Sequence, residues 1–276
     1  MKMKISIISL FCIFILINIT GISAQTYLNL HTKDGNVHPF DLAEIDSITF
    51  TAAQDTIINS DLAAYYPFSG DASDESGNGN HGIVYGAELT QDRHGNMMSA
   101  YHFDGLTGDF IFTGTSASLN LNETGSILLW VYISSYGDTT HNKFWHLLGK
   151  GAKAGWDTDG YAIFYHDEDA VIYGVITDKS SSPVFNRVSF GKPAAEKWHH
   201  LAFTWDGEYL KSYINGEQYG AFAPQDITIP DTGYDLVIGK KPSGRRSGYF
   251  HGTIDEVYIF RYALSKDEIQ QIYSSD

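Results

Sequence analysis

Trp198-His199-His200-Leu201-Ala202-Phe203-Thr204-Trp205-Asp206-Gly207 runs into Leu210-Lys211-Ser212-Tyr213-Ile214-Asn215-Gly216, and the chain closes on Gly252-Thr253-Ile254-Asp255-Glu256-Val257-Tyr258-Ile259-Phe260-Arg261-Tyr262-Ala263-Leu264-Ser265. Asp206-Gly207 and Asn215-Gly216 each separate short β-branched and aromatic runs. Such pairs accept φ > 0 at both central positions of a two-residue hairpin turn. Adjacent hairpins predict an all-β antiparallel sandwich, a scaffold that carries function in its loops and on one sheet face.

Working outward, Ile127 to Ile133 is apolar at every position, which suits a central strand covered on both sides. Trp130, Phe203 and Trp205 follow strand patterns and are expected to pack between the sheets. Residues 138–142, 151–159 and 180–182 read as loops by their Gly, Ser, Asn and Asp content. Ser265 and Glu268 form a capping box, so a short carboxy-terminal helix is expected.

The amino end is different in kind. Met1-Lys2-Met3-Lys4 is basic, Ile5 to Ile19 is largely apolar, and Gly21-Ile22-Ser23-Ala24 supplies small residues for cleavage. Residues 1–24 read as a secretory signal peptide, too short for a membrane span, and no later run would cross a membrane. Residues 25–50 form a small β-rich unit, with one helical turn expected at Asp41-Leu42-Ala43-Glu44-Ile45 and a strand at Ser47-Ile48-Thr49-Phe50. Residues 51–60 read as a linker and 61–276 as one large domain, ample for a single core. The sole cysteine, Cys12, lies in the leader, so the exported chain would hold no disulfide.

The 276 residues carry 18 Lys and Arg against 33 Asp and Glu, a formal net charge of −15. A nucleic-acid partner would need a basic stripe, and none is visible. The excess acid serves solubility, and some of it could bind divalent cation.

The segments quoted at the outset resemble the laminin-G-like jelly-roll domains of the concanavalin A-like lectin and glucanase superfamily. Leu62-Ala63-Ala64-Tyr65-Tyr66-Pro67-Phe68-Ser69-Gly70-Asp71 through Asn80-His81-Gly82 is similar to the opening strand and loop of that family. Ala100-Tyr101-His102-Phe103-Asp104-Gly105 and Ile127-Leu128-Leu129-Trp130-Val131 are similar to its next strands. The resemblance implies an antiparallel two-sheet jelly roll whose first and last strands are neighbours.

Asp71, Asp74, Ser76, Asn78 and Asn80 crowd hard oxygen donors into ten residues. Two readings stand: an Asx-rich loop capping its own backbone, or a calcium shell of carboxylates and carbonyls. The resemblance implies the second, a structural calcium held by Asp71, Asp74 and Asn78 with Asp255 brought alongside.

Catalytic signals are thin. Asp167-Glu168-Asp169 is the nearest approach to a glucanase carboxylate strand, but His166 to Asp169 reads better as a turn, so no catalytic residue is assigned. His199 and His200 would point to opposite faces of a strand and cannot chelate one metal. Loop aromatics with nearby charges, Tyr136, Trp156, Asp157, Asp159, Arg245 and Tyr249, form the candidate ligand set. The function expected is a secreted or cell-surface, non-catalytic domain that recognises an extracellular glycan. The alternatives are a protein-binding adhesion module and, behind it, a glycoside hydrolase or polysaccharide lyase.

Overall fold

The computed structural model describes backbone strands at 3–8, 27–31, 37–41 and 45–51, and residues 61–275 apart from 107, 137–143, 152–159, 178–184, 225–228, 230–232 and 243–247. The chain divides into two compact units, Met1–Ser60 and Asp61–Asp276. In the first, β1 (Met3–Ile8) pairs in parallel with β4 (Ile45–Thr51), and β2 (Tyr27–His31) pairs antiparallel with β3 (Val37–Asp41). The rest of the predicted leader, the helical turn and the linker fall largely outside the described residues.

The second unit is a sandwich. Its strands are β5 (Leu62–Tyr66), β6 (Ile83–Tyr85), β7 (Glu88–Thr90), β8 (Ala100–Asp104), β9 (Phe110–Gly114), β10 (Gly125–Ile133), β11 (Phe144–Lys150), β12 (Tyr161–His166), β13 (Val171–Thr177) and β14 (Phe185–Ser189). They continue as β15 (Trp198–Trp205), β16 (Leu210–Ile214), β17 (Glu217–Phe222), β18 (Leu236–Ile238) and β19 (His251–Phe260). The first sheet runs β17-β16-β15-β10-β19-β8-β7, with β5 also on β19; the second runs β14-β13-β12-β11-β18-β9-β6. All pairings in both sheets are antiparallel.

Strand alternation fills the space between the sheets. Ile127, Leu129, Val131 and Ile133 of β10 meet Leu201, Phe203 and Trp205 of β15 and Ile254, Val257 and Ile259 of β19 on one side. Trp145, Tyr161, Ile163, Tyr165, Ile172 and Ile238 supply the other. Glycines make room for the largest rings: a Cβ at Gly174 would sit 2.5 Å from Phe203 Cδ2, and one at Gly125 2.4 Å from Trp205 Cζ2. Gly174→Ala therefore overpacks the core and should cost about 1–3 kcal/mol, measured as a fall in urea midpoint with unchanged slope.

The outer face of the first sheet is covered as well. Leu128, Ala202 and Phe260 point away from the second sheet yet are fully buried. The closing segment and α1 (Lys266–Ser275) lie on this side, with Leu264, Ile269 and Ile272 buried and Tyr273 stacked on Trp130 at 5.5 Å. The capping box forms as expected: Glu268 N–H donates to Ser265 Oγ at 3.3 Å and Ser265 N–H to Glu268 Oε2 at 2.7 Å.

Two expectations are corrected here. Trp130 is not between the sheets, because its neighbours Leu129 and Val131 take the inward positions and alternation sends it outward, under α1. Asp206-Gly207 is not a two-residue turn, since four residues separate β15 from β16. Asp206 Oδ1 instead accepts from the N–H groups of Glu208 at 3.0 Å and Tyr209 at 2.7 Å. Asn215-Gly216 is the expected tight turn, with φ of 51° and 78°.

Candidate functional site

The outward face of the second sheet follows from the same alternation. Tyr161, Ile163 and Tyr165 of β12 enter the core, which leaves Ala162, Phe164 and His166 facing outward. Register then places Phe164 opposite Tyr173, and Val175 opposite Arg187. Phe144 and His146 of β11 sit opposite His166 and Phe164 on the other flank.

These side chains form a continuous platform. His146 stacks on Phe164 at 5.3 Å, Phe144 meets His166 edge-on at 4.7 Å, and Phe164 and Tyr173 lie 6.1 Å apart. The Arg187 guanidinium sits 4.4 Å above the Tyr173 ring, a cation–π contact that holds it flat against the face. Asp169, in the turn between β12 and β13, accepts from Tyr173 Oη at 3.1 Å and from Arg187 at 3.5 Å. Burial raises the Tyr173 pKa, and the bond to Asp169 adds to it while Arg187 opposes, so the phenol stays neutral and donating. Long bonds between exposed groups are weak and readily exchanged for those of a ligand. The face thus offers a row of half-buried aromatic side chains, a carboxylate to accept hydroxyl protons and a guanidinium to donate.

His146 differs from its neighbours. It is buried, and burial together with the nearby Lys241 charge lowers its pKa to about 3. It is a neutral support for Phe164.

The residues expected to hold calcium are not gathered into a shell. Both Asp74 oxygens are already bonded, Oδ1 accepting from the N–H groups of Tyr65 at 3.0 Å and Ser76 at 2.9 Å, and Oδ2 from Asn80 N–H at 2.9 Å. Burial opposes the Asp74 charge, but these donors outweigh it and lower the pKa. Asp71 accepts from Ser73 N–H at 2.8 Å, and Asn78 donates to Leu62 carbonyl at 2.8 Å. Asp255 sits at the register shift in β19, where it faces Arg93 at 2.8 Å rather than this loop. Among the described residues no group of three His, Cys, Asp or Glu could hold a metal. The loop therefore matches the self-capping reading, and its donors as arranged do not fit a calcium ion. The melting temperature is expected to be the same in calcium and in chelator; a rise with calcium that chelation reverses would mean that this loop rearranges around the ion.

Of the candidate ligand residues, Trp156, Asp157, Asp159 and Arg245 lie outside the described residues. Tyr136 is not poised for a ligand: its ring packs on Trp145 and Tyr165 and its hydroxyl donates to the Pro193 carbonyl. Tyr249 is half-buried beside Lys240, whose Nζ lies 5.9 Å from its ring. Phe144, Phe164, Tyr173 and Arg187 were not foreseen. Their signal was available, since the alternation of 161–166 set against 171–177 puts one aromatic row on the outward face.

Asp167 to Ala170 is a turn, so Asp167 and Asp169 do not share a strand face. His200 is buried between Trp130 at 5.3 Å and Tyr273 at 5.8 Å, while His199 Nε2 pairs with the Ala194 carbonyl at 2.9 Å.

A family model described as the concanavalin A-like lectin/glucanases superfamily matches residues 105–270. No curated protein matches the chain. Among solved structures it is similar to domain 4 of AbnA, an extracellular GH43 arabinanase from Geobacillus stearothermophilus, in complex with arabinotriose. That match has a TM-score of 0.57 and 23% identity, covering 78% of this chain and 99% of that one. It is also similar to the ligand binding domain of botulinum neurotoxin serotype D in complex with N-acetylneuraminic acid, with a TM-score of 0.62 and 17% identity, covering 81% and 53%. The binding domain of Paraclostridial Mosquitocidal Protein 1 gives a TM-score of 0.62 and 16% identity, covering 78% and 52%. The chain spans about half the length of the last two. No helix among the described residues is long and apolar enough to cross a membrane.

Proposed function

The chain belongs to the concanavalin A-like lectin/glucanase superfamily, and from that premise we propose that residues 61–275 form a secreted, non-catalytic domain that holds a carbohydrate on the outward face of its second sheet. The observation that carries this reading is the Phe164–Tyr173 platform with Asp169 and Arg187 beside it. Sugars present apolar faces that stack on such rings and hydroxyls that need both acceptors and donors. The similarity to an arabinotriose-bound domain of nearly the same extent supports the reading. So does the basic and apolar leader, as a mark of export.

No reaction is assigned to the face. A glycosidase needs two carboxyls flanking the bond; among the described residues the carboxylate bonded to the platform is that of Asp169.

The test is retention in native gels containing arabinan, xylan, mannan or laminarin. Slowed migration in at least one gel is expected, with no reducing sugar released. Unslowed migration in all, together with capture of a protein partner, would favour the adhesion reading instead.

A further inference from the structure

A second aromatic platform lies on the same outward face, three to five strand steps away from the first. Ile111 of β9 enters the core, so Phe110 and Phe112 face outward, and register places Tyr85 of β6 opposite Phe110. Tyr85 and Phe110 stack at 4.6 Å with 15° between their planes. Lys240 Nζ sits 3.9 Å above the Phe110 ring and 5.9 Å from that of Tyr249. Tyr85 is 46% exposed, although it is an apolar ring on an edge strand. The two platforms share a plan: neighbouring aromatic side chains on the outward face of the sheet, with a cation held against one of the rings.

Strand order fixes their separation. From β9 to β12 there are three strand steps, through β18 and β11, and from β6 to β13 there are five. At about 4.8 Å per step the rings are roughly 14 Å apart at the near ends and roughly 24 Å at the far ends. Lys241 and Pro242 fill the ground between them: Pro242 Cδ would lie 3.4 Å from a Cβ at Gly149, and the Lys241 charge bears on buried His146. A single sugar ring on one platform cannot reach the other. A chain of sugars crossing the strands would meet both.

We infer that Tyr85, Phe110, Lys240 and Tyr249 form a second subsite of one extended track, so that the domain grips internal stretches of a linear polysaccharide rather than a terminal sugar. This rests on the proposed glycan-binding role of the Phe164–Tyr173 platform. An occupant that spans both subsites gains by effective concentration, because its second contact is intramolecular.

The experiment titrates the polysaccharide retained in the gel panel, and its own oligosaccharides of increasing length, against the full chain and two variants, Tyr85→Ala and Lys240→Ala. Affinity should climb with length until both platforms are spanned and then level off. Tyr85→Ala, at an exposed position, should bind short oligosaccharides as the parent does but lose at least about tenfold on long ones; Lys240→Ala should show the same pattern more weakly. Equal affinity for all lengths, or a Tyr85→Ala loss that is absent or the same at every length, overturns the second subsite while leaving the first platform standing. A dimer in sedimentation that Tyr85→Ala dissolves without touching glycan affinity overturns it too, making this edge a self-contact. Retention by no polysaccharide overturns both readings together.

Discussion

Alanine at both Phe164 and Tyr173 is expected to abolish polysaccharide retention while the far-UV circular dichroism spectrum stays that of the parent. Each ring is an anchor of the kind that contributes about 2 kcal/mol at a binding surface, roughly thirtyfold in affinity. Losing two should push a weak interaction beyond measurement. The side chains are only half-buried and stand on a sheet whose core residues, Ile163, Tyr165 and Ile172, remain in place. Tyr173→Phe separates stacking from hydrogen bonding, since it keeps the ring under Arg187 but cannot donate to Asp169. It should retain most of the affinity if stacking dominates. Full binding by the double alanine variant would remove this face from the proposed function.

Arg93→Met is expected to be the most damaging single change on the opposite side of the molecule. Arg93 is 7% exposed, bonded to Asp255 at 2.8 Å and Glu256 at 2.9 Å, and lies 4.5 Å over the Trp130 ring. Methionine keeps much of the stem but leaves Asp255, itself 2% exposed, facing no cation from that loop. Breaking a buried pair in this way costs about 3–5 kcal/mol, or about 10 °C in melting temperature for a domain of this size. The deficit should depend on pH. Burial raises the Asp255 carboxyl from 3.8 to about 7, against the pull of Arg93. With the folded value above the unfolded one, its contribution is full at low pH and is lost as pH rises through about 7. Without Arg93 the folded value climbs further, so the gap between variant and parent should widen from pH 5 to pH 8. Adding Asp255→Asn, which cannot ionise, should restore part of the stability and flatten that slope. A deficit independent of pH, unrelieved by the second change, would mean that packing on Trp130 is what Arg93 supplies.

The sandwich was legible because its signals are local. The two-faced apolar run of β10, the Asn215-Gly216 turn and the Ser265–Glu268 capping box each specify their own geometry, and each is present. What failed was whatever depended on which face a distant element covers. Trp130 looks like any core tryptophan until α1 folds over the outer face. Phe164 and Tyr173 look like core aromatics for the same reason, with the opposite outcome, since no helix lies over the second sheet at that point among the described residues. The oxygen-rich loop from Asp71 to Asn80 had the composition of a metal shell, but composition does not tell a donor that waits for an ion from one already bonded to Tyr65, Ser76 and Asn80 N–H groups. Asp255 was placed beside that loop by strand adjacency, which holds for Val257 to Phe260 against β5; the register shift just before turns Asp255 toward Arg93.

The position of β19 has a consequence for how the molecule comes to be. It follows the other described strands in chain order, yet it runs through the interior of the first sheet, pairing with β10 along one side and with β8 and β5 along the other. Until residues 251–260 are available, three earlier strands have no common partner, and every contact they await spans more than a hundred residues of sequence. Such distant closures are slow, so β5, β8 and β10 go without this shared partner until residues 251–260 join them.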